Sequence, residues 1–424
     1  MHFLIKIFFI LLLNKKIISF INLPFKTFIN NSKINSSNFI SHFKYTNIFT
    51  ELQIGTPPQK LNFQISMSDF HSIIISNFSK NCEIKFFQNN SKTFEETYSN
   101  LYDYNLKFTD LSVFAKDLIS INKNVEFYFN FFLAFDTINN ISAILGFQLN
   151  DNYQKVNFIH QLKKSDFIKQ FDFYFNFDEF NNNNINDLKG EIIIGNFPHN
   201  FNKKFDKKNL IFVNSNFINN NNNNKQNFII NFDNIFINKK LIFNNVNAQI
   251  LFEQFFISAN FEFLEIFKEI FKEFLNEKIC FENINNDYKK EIFFICKKKP
   301  KFSKEIIFNV KDKKNFTLNF DDLFLKINNF FYFLIIFENS KNFILGNIFL
   351  QKNLLIFNQD KKQIGFYIKK EKNYFILIQT FIIFLCVFVI IILLYFMKKI
   401  LINKRKIKAN ELEENFEYSS KLIK

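Results

Sequence analysis

Two acids in this chain, Asp69 and Glu253, stand just past short apolar runs, and as a pair they could move a proton. Leu61 to Ile65 runs into Ser66-Met67-Ser68-Asp69, and Ala248 to Phe252 runs into Glu253. Two carboxylates held close together cannot both ionise freely. One becomes a base and the other an acid, which is the division of labour needed to set water on an amide. Ser66 alone is no base near neutral pH. His71, five residues on, has no acidic orienter or oxyanion motif beside it, so serine nucleophile chemistry is unsupported. The histidines at His2, His42, His71, His160 and His199 show no metal-ligand spacing, and no metal or other cofactor is expected.

The elements that must position these groups are mostly strands. From about Tyr45 to Lys370 short apolar or alternating runs are separated by Asn, Lys and Asp clusters, the pattern of an all-β protein. Leu61 to Ile65, Ser112 to Ile121, Glu191 to Ile194, Glu305 to Val310 and Leu354 to Phe357 are expected strands. One segment reads as helix: Phe263, Leu264, Phe267, Ile270, Phe271, Phe274 and Leu275 recur at helical spacing, with charges opposite. Core packing is its expected role, ahead of docking a partner.

The 424 residues, 48% of them hydrophobic, can bury one large or two medium cores. Phe, Asn, Ile and Lys dominate, with 69 Phe, six Gly, five Pro and no Trp. All four abundant types have A/T-rich codons, so nucleotide bias accounts for the skew. The runs Asn181 to Asn184 and Asn219 to Asn224 read as polar surface inserts. The net charge of +15 is carried by scattered lysines without Arg–aromatic clustering, which argues against a nucleic-acid partner. Under such bias the rare glycines gain meaning: Gly55, Gly146, Gly190, Gly195, Gly346 and Gly365 are expected at backbone positions other residues cannot take.

Tyr374 to Met397 is almost unbroken apolar sequence, interrupted only by Gln379 and Thr380. As a helix it would run about 36 Å at 1.5 Å per residue, enough to cross a ~30 Å hydrocarbon layer with tilt. Lys398, Lys399, Lys404, Arg405, Lys406 and Lys408 follow, so residues 398–424 are expected to form a cytosolic basic tail with the β-rich body lumenal or extracellular. Phe3 to Leu13 is too short to span, and residues 1–22 read as a signal peptide or N-terminal anchor. A single-pass protein of the secretory route or cell surface is the expected localisation. There Cys280 and Cys296, 16 apart, are disulfide candidates, although spacing alone does not pair them. Cys82 is left over and Cys386 lies in the span. Sequons at Asn30, Asn35, Asn77, Asn89, Asn140 and Asn315 fit the same route.

A series of short motifs, taken in order, resembles the pepsin-like aspartic proteases. Ile54-Gly55-Thr56-Pro57-Pro58-Gln59 resembles that family's opening hairpin. Ala143-Ile144-Leu145-Gly146-Phe147 is similar to its Ile-Leu-Gly strand, and Phe158 to Phe175 to the helix and strand after it. Lys189-Gly190-Glu191-Ile192-Ile193-Ile194-Gly195-Asn196 is similar to the strand near its lobe junction. Phe343-Ile344-Leu345-Gly346-Asn347-Ile348-Phe349-Leu350 resembles the second Ile-Leu-Gly element, and Leu354 to Phe366 the family's terminal strands. All six glycines fall inside these motifs. The resemblance implies an all-β, bilobal pepsin-like fold with a few short helices, here with lobes at 45–195 and 196–370 and a transmembrane helix at 374–397.

It also implies where an aspartic protease would carry its two aspartates, and those positions hold other residues. Counting from Pro57-Pro58-Gln59, the first position holds Ser66, with Met67 and Ser68 in place of Thr-Gly. Counting back from the helix, the second holds Phe252. Asp69 is three residues late, and a three-residue strand slip would turn it to the other face. Glu253 is next to Phe252, and strand neighbours point to opposite faces. Both are substitutes at best, expected to point away while Ser66 and Phe252 face each other. Tyr104, followed by Asn105-Leu106-Lys107, matches the flap tyrosine without the flap glycines, with Lys116-Asp117 anchoring it. The expectation is a membrane-anchored, non-catalytic homologue that binds a peptide or protein in its cleft. The alternative is an active aspartic-type endopeptidase using Asp69 and Glu253.

Overall fold

The computed structural model describes residues 20–421 except 28–38, 45–46, 68, 70, 80–83, 98–111, 136–140, 149–153, 179–188, 216–227, 286–289, 303, 311–313, 341 and 368–373. Tyr104, Cys82, both Asn runs and the sequons at Asn30, Asn35 and Asn140 lie outside the described residues. The chain forms two compact units, residues 1–368 and 369–424.

Side-chain alternation builds the strands of the first unit. In Gln59–Ser66 the buried Leu61, Phe63 and Ile65 alternate with half-buried Asn62 and Gln64. Such strands assemble into two large sheets, of 13 and 11 strands, and the architecture is bilobal and mostly β. Within the first sheet, Gln59–Ser66 runs parallel to Ala143–Gly146, with Ser66 opposite Gly146. In the second, Lys240–Ile250 runs parallel to Phe343–Leu345, with Ile250 opposite Leu345. Both segments that carry candidate chemistry therefore end beside an Ile-Leu-Gly strand.

The expected helix forms over Glu262–Asn276 and buries Phe263, Leu264, Phe267 and Phe271. Phe263 stacks on Phe243 at 3.8 Å and Phe271 on Phe294 at 4.5 Å between ring centroids. This apolar stripe is core. Each fully buried Phe contributes about 1.5–3 kcal/mol, with about 0.5–1.5 kcal/mol more per well-placed ring pair. A disulfide joins Cys280 and Cys296, directly opposite each other on Cys280–Asn285 and Glu291–Cys296.

The sheets divide the chain differently from the expected 45–195 and 196–370. Ile21–Thr27 is already a strand, pairing with Lys189–Ile194 and Ile48–Ile54, so the first sheet begins inside the stretch read as a leader. Leu355–Asn358 and Gln363–Tyr367, assigned by chain order to the second lobe, join the first sheet, as does Leu210–Asn214. The physical reason is that strand pairing is non-local. A buried strand such as Leu355–Asn358 must satisfy its backbone wherever an open edge lies, and Asp172–Phe177 offers one.

In the second unit Tyr374–Lys421 is one continuous helix. The expected span at 374–397 lies within it, and the basic stretch expected as a tail continues the same helix. Its segment Phe381–Lys406 is long and apolar enough to cross a membrane.

Where the terminal strands join the first sheet, a carboxylic acid is enclosed. Asp172 is fully buried, opposite Asn358 in the ladder. Burial first, and then the nearby Asp360 carboxylate, push it up to about 7, while Lys361, Asn358 and Lys163 pull it the other way. The folded state thus holds a proton that the unfolded chain releases near pH 4. This contribution to stability is full below about pH 4 and lost as pH rises through about 7, on the order of 4 kcal/mol at most. Asp172→Asn, which keeps the neutral shape, should flatten the fall in melting temperature between pH 5 and about 7.5 measured on the wild type.

Candidate functional site

Past Ser66 the first segment stops being a strand. Met67 bends away, and the backbone returns so that Asp69 N–H donates to Ser66 Oγ at 3.2 Å. The hydroxyl lies 2.9 Å from Asp69 Oδ2. Phe147 N–H donates to Ser66 O at 2.9 Å and Gln148 N–H to Asp69 O at 3.1 Å, which pins both ends of the turn to the neighbouring chain.

A second turn meets it from the other sheet. After Ile250, Leu251 N–H donates to Leu345 O at 3.1 Å, and residues 252–253 form a turn. Asn347 and Ile348 N–H then donate to Gln254 O at 2.8 Å and Phe255 O at 3.0 Å. The crossing is so close that a Cβ on Gly346 would run into the carbonyl oxygens of Gln254 and Phe256, so only glycine fits. Gln254 braces the turn from within, its amide donating to Ser258 Oγ at 2.8 Å and Phe256 O at 3.2 Å.

These two turns bring Glu253, not Phe252, to Ser66. Glu253 Oε1 accepts Met67 N–H at 3.1 Å and lies 3.3 Å from Ser66 Oγ. Phe252 is buried elsewhere, its ring 4.1 Å from Phe175 and 5.1 Å from Phe357. The expectation that Ser66 and Phe252 face each other while Asp69 and Glu253 point away is thus corrected. Facing rules hold along a strand, and both acids lie in turns beyond their strand ends. Asp69 needs no register slip: a serine and an acid three residues apart are at the spacing of a turn closed by its own side chains. That spacing was the signal available in sequence. Nothing in the sequence pointed to Met67 N–H or the Gln254 amide.

Chemically, one hydroxyl sits within hydrogen-bond reach of two carboxylates from two sheets. Ser66 Oγ has a single hydrogen, so it donates to Asp69 Oδ2 or Glu253 Oε1 in turn while accepting Asp69 N–H. His71 is buried with its ring edge-on to Phe132, and burial lowers its pKa to about 3, so it stays neutral. Among the described residues no group of three His, Cys, Asp or Glu could hold a metal ion. Beyond this centre, Asp117 is fully buried. It accepts Leu118 N–H at 2.7 Å and the Thr93 hydroxyl, while Lys116 pairs with Glu95 at 3.0 Å.

No family model and no curated protein matches the chain. Among solved structures it is similar to basic 7S globulin from soybean, with a TM-score of 0.58 over 82% of this chain and 95% of that one, at 13% identity. The fold is pepsin-like. At 13% identity the likeness speaks for the backbone alone.

The Ser66–Glu253 contact couples the two pepsin-like lobes. Ser66→Ala removes one hydrogen-bond partner each from Asp69 N–H, Asp69 Oδ2 and Glu253 Oε1, and about 1–3 kcal/mol of stability should go with it. Combined with Glu253→Ala in a double-mutant cycle by thermal or denaturant unfolding, the pair should show a coupling of about 0.5–3 kcal/mol. Simple additivity would show that the contact carries no energy.

Proposed function

We propose that this protein is a catalytically silent pepsin-like protein that binds a peptide or protein segment in its cleft, held to a membrane by its C-terminal helix. One observation carries the reading. The meeting point of the two turns is filled by the Ser66 hydroxyl, fixed by Asp69 N–H and shared by two carboxylates. A peptidase needs a mobile water there, between acids that share one proton. A serine hydroxyl fixed by its own turn does not replace that water, and loss of a catalytic group costs on the order of 10⁴ in rate.

A second reading has a specific observation behind it. Asp69 and Glu253 converge on the same hydroxyl, so an acid pair from two lobes does exist. If Ser66 turned aside, water between them would restore the composition of an aspartic-type endopeptidase. The full-length protein, assayed with a broad peptide library between about pH 3 and pH 6 with and without a pepstatin-type inhibitor, separates the two. No inhibitor-sensitive cleavage is expected. Cleavage lost in both Asp69→Ala and Glu253→Gln would establish the active enzyme instead.

The anchor follows from the apolar helix segment Phe381–Lys406, and the basic cluster at 398–408 supports a β-rich unit on the non-cytosolic side. The full chain should remain with membranes through alkaline washing, and deletion of residues 381–402 should release it. Release of the intact chain by the wash would contradict the span.

A further inference from the structure

The second sheet ends in an exposed edge. Lys314–Asn319 pairs with Glu305–Val310 on one side and, among the described residues, with no strand on the other. Open edges invite pairing with other chains, and folded proteins blunt them. This strand carries one lysine, Lys314, and the sequon Asn315-Phe316-Thr317. The sequon's side chains divide as its polar groups require. Phe316 is buried, its ring 4.5 Å from Phe366 and 5.5 Å from Phe349, while Asn315 and Thr317 are exposed on the outer face. Asn309 Nδ2 donates to Asn315 Oδ1 at 2.9 Å, and the Asn315 side chain stays exposed.

Beside Asn315 the outer face forms an open groove of about 590 Å³, lined in part by Asn234, Phe236, Lys239, Ile307 and Asn309. Asn244, Asn234, Asn309 and Asn315 stand opposite one another across neighbouring strands, and Phe236 and Ile307 form a parallel apolar pair. A row of amides beside an apolar strip suits a sugar ring, with hydroxyl and acetamide groups over the former and a C–H face over the latter.

We infer that Asn315 is an N-glycosylation site whose sugar lies along this groove and covers the free edge of the second sheet. This rests on the reading that the β-rich unit is non-cytosolic, where a lipid-linked oligosaccharide diphosphate is the donor. In the transfer the sugar C1–O bond to diphosphate breaks and a C1–N bond to Asn315 Nδ2 forms. The lipid diphosphate leaves with the electron pair, and one amide proton is lost. The folded face need only leave the Asn315 side chain exposed, as it does.

The test uses the full-length chain made in a eukaryotic cell that glycosylates sequons. Peptide mapping before and after enzymatic glycan removal should show Asn315 converted to Asp. Asn315→Gln and Thr317→Ala should each remove one glycan step on a gel, and Thr317→Ser should retain it. The glycan-free variants should self-associate several-fold more at equal concentration. An unmodified Asn315 in a chain whose exposed Asn89 is glycosylated overturns the inference and leaves the orientation standing. A chain unmodified at all six sequons overturns both. Variants that lose the glycan yet stay as dispersed as wild type overturn the edge-covering role.

Discussion

The arrangement at the centre of this molecule depends on one close crossing of backbone. Gly346 lies so near the carbonyls of Gln254 and Phe256 that no side chain fits between them. With the chains in contact, Asn347 and Ile348 hold Gln254 and Phe255 through their amides. The turn at 252–253 then has only one way to place its two side chains, and they part. Phe252 goes into the aromatic layer with Phe175 and Phe357, and Glu253 goes to Ser66. Apolar and ionic neighbours are separated by a single peptide because the glycine crossing leaves no slack.

That layer also reinforces the seam inside the first sheet where residues far apart in sequence meet. Phe173 stacks on its ladder partner Phe357 at 5.2 Å, so Leu355–Asn358 is held to Asp172–Phe177 by rings as well as by backbone hydrogen bonds. Asp172 is enclosed at the same seam and keeps its proton over much of the range in which other carboxylates are ionised. Burying an ionised acid there would cost several kcal/mol, so it stays neutral. The folded unit accordingly gains stability as the surroundings become mildly acidic.

Ser66 has a different kind of significance. Two carboxylates converging from separate lobes would repel, and a hydroxyl between them, accepting one N–H and donating in turn, relieves that without introducing a charge. The result is a contact that ties a turn of the second sheet to the strand end of the first.

Much of the fold was legible in residue order. The alternation in Gln59–Ser66, the helical stripe at Glu262–Asn276, the Ile-Leu-Gly elements and the apolar run after Tyr374 each follow from local periodicity, which sequence records directly. The glycines marked where the backbone needed room, and Gly346 bears that out in contact detail. The positions of Asp69 and Glu253 were not legible. The alternation rule was applied three residues beyond the end of each strand, where the backbone obeys hydrogen bonds with distant partners instead. The pairing of Leu355–Asn358 with Asp172–Phe177 likewise depends on which edge is open, a property of the assembled sheets. The sequence by itself determined which segments are strands and helices, because those depend on neighbours along the chain. Only the tertiary structure decided that an acid from each lobe meets at one serine, because that depends on two turns held in place by backbone roughly 80 to 95 residues away.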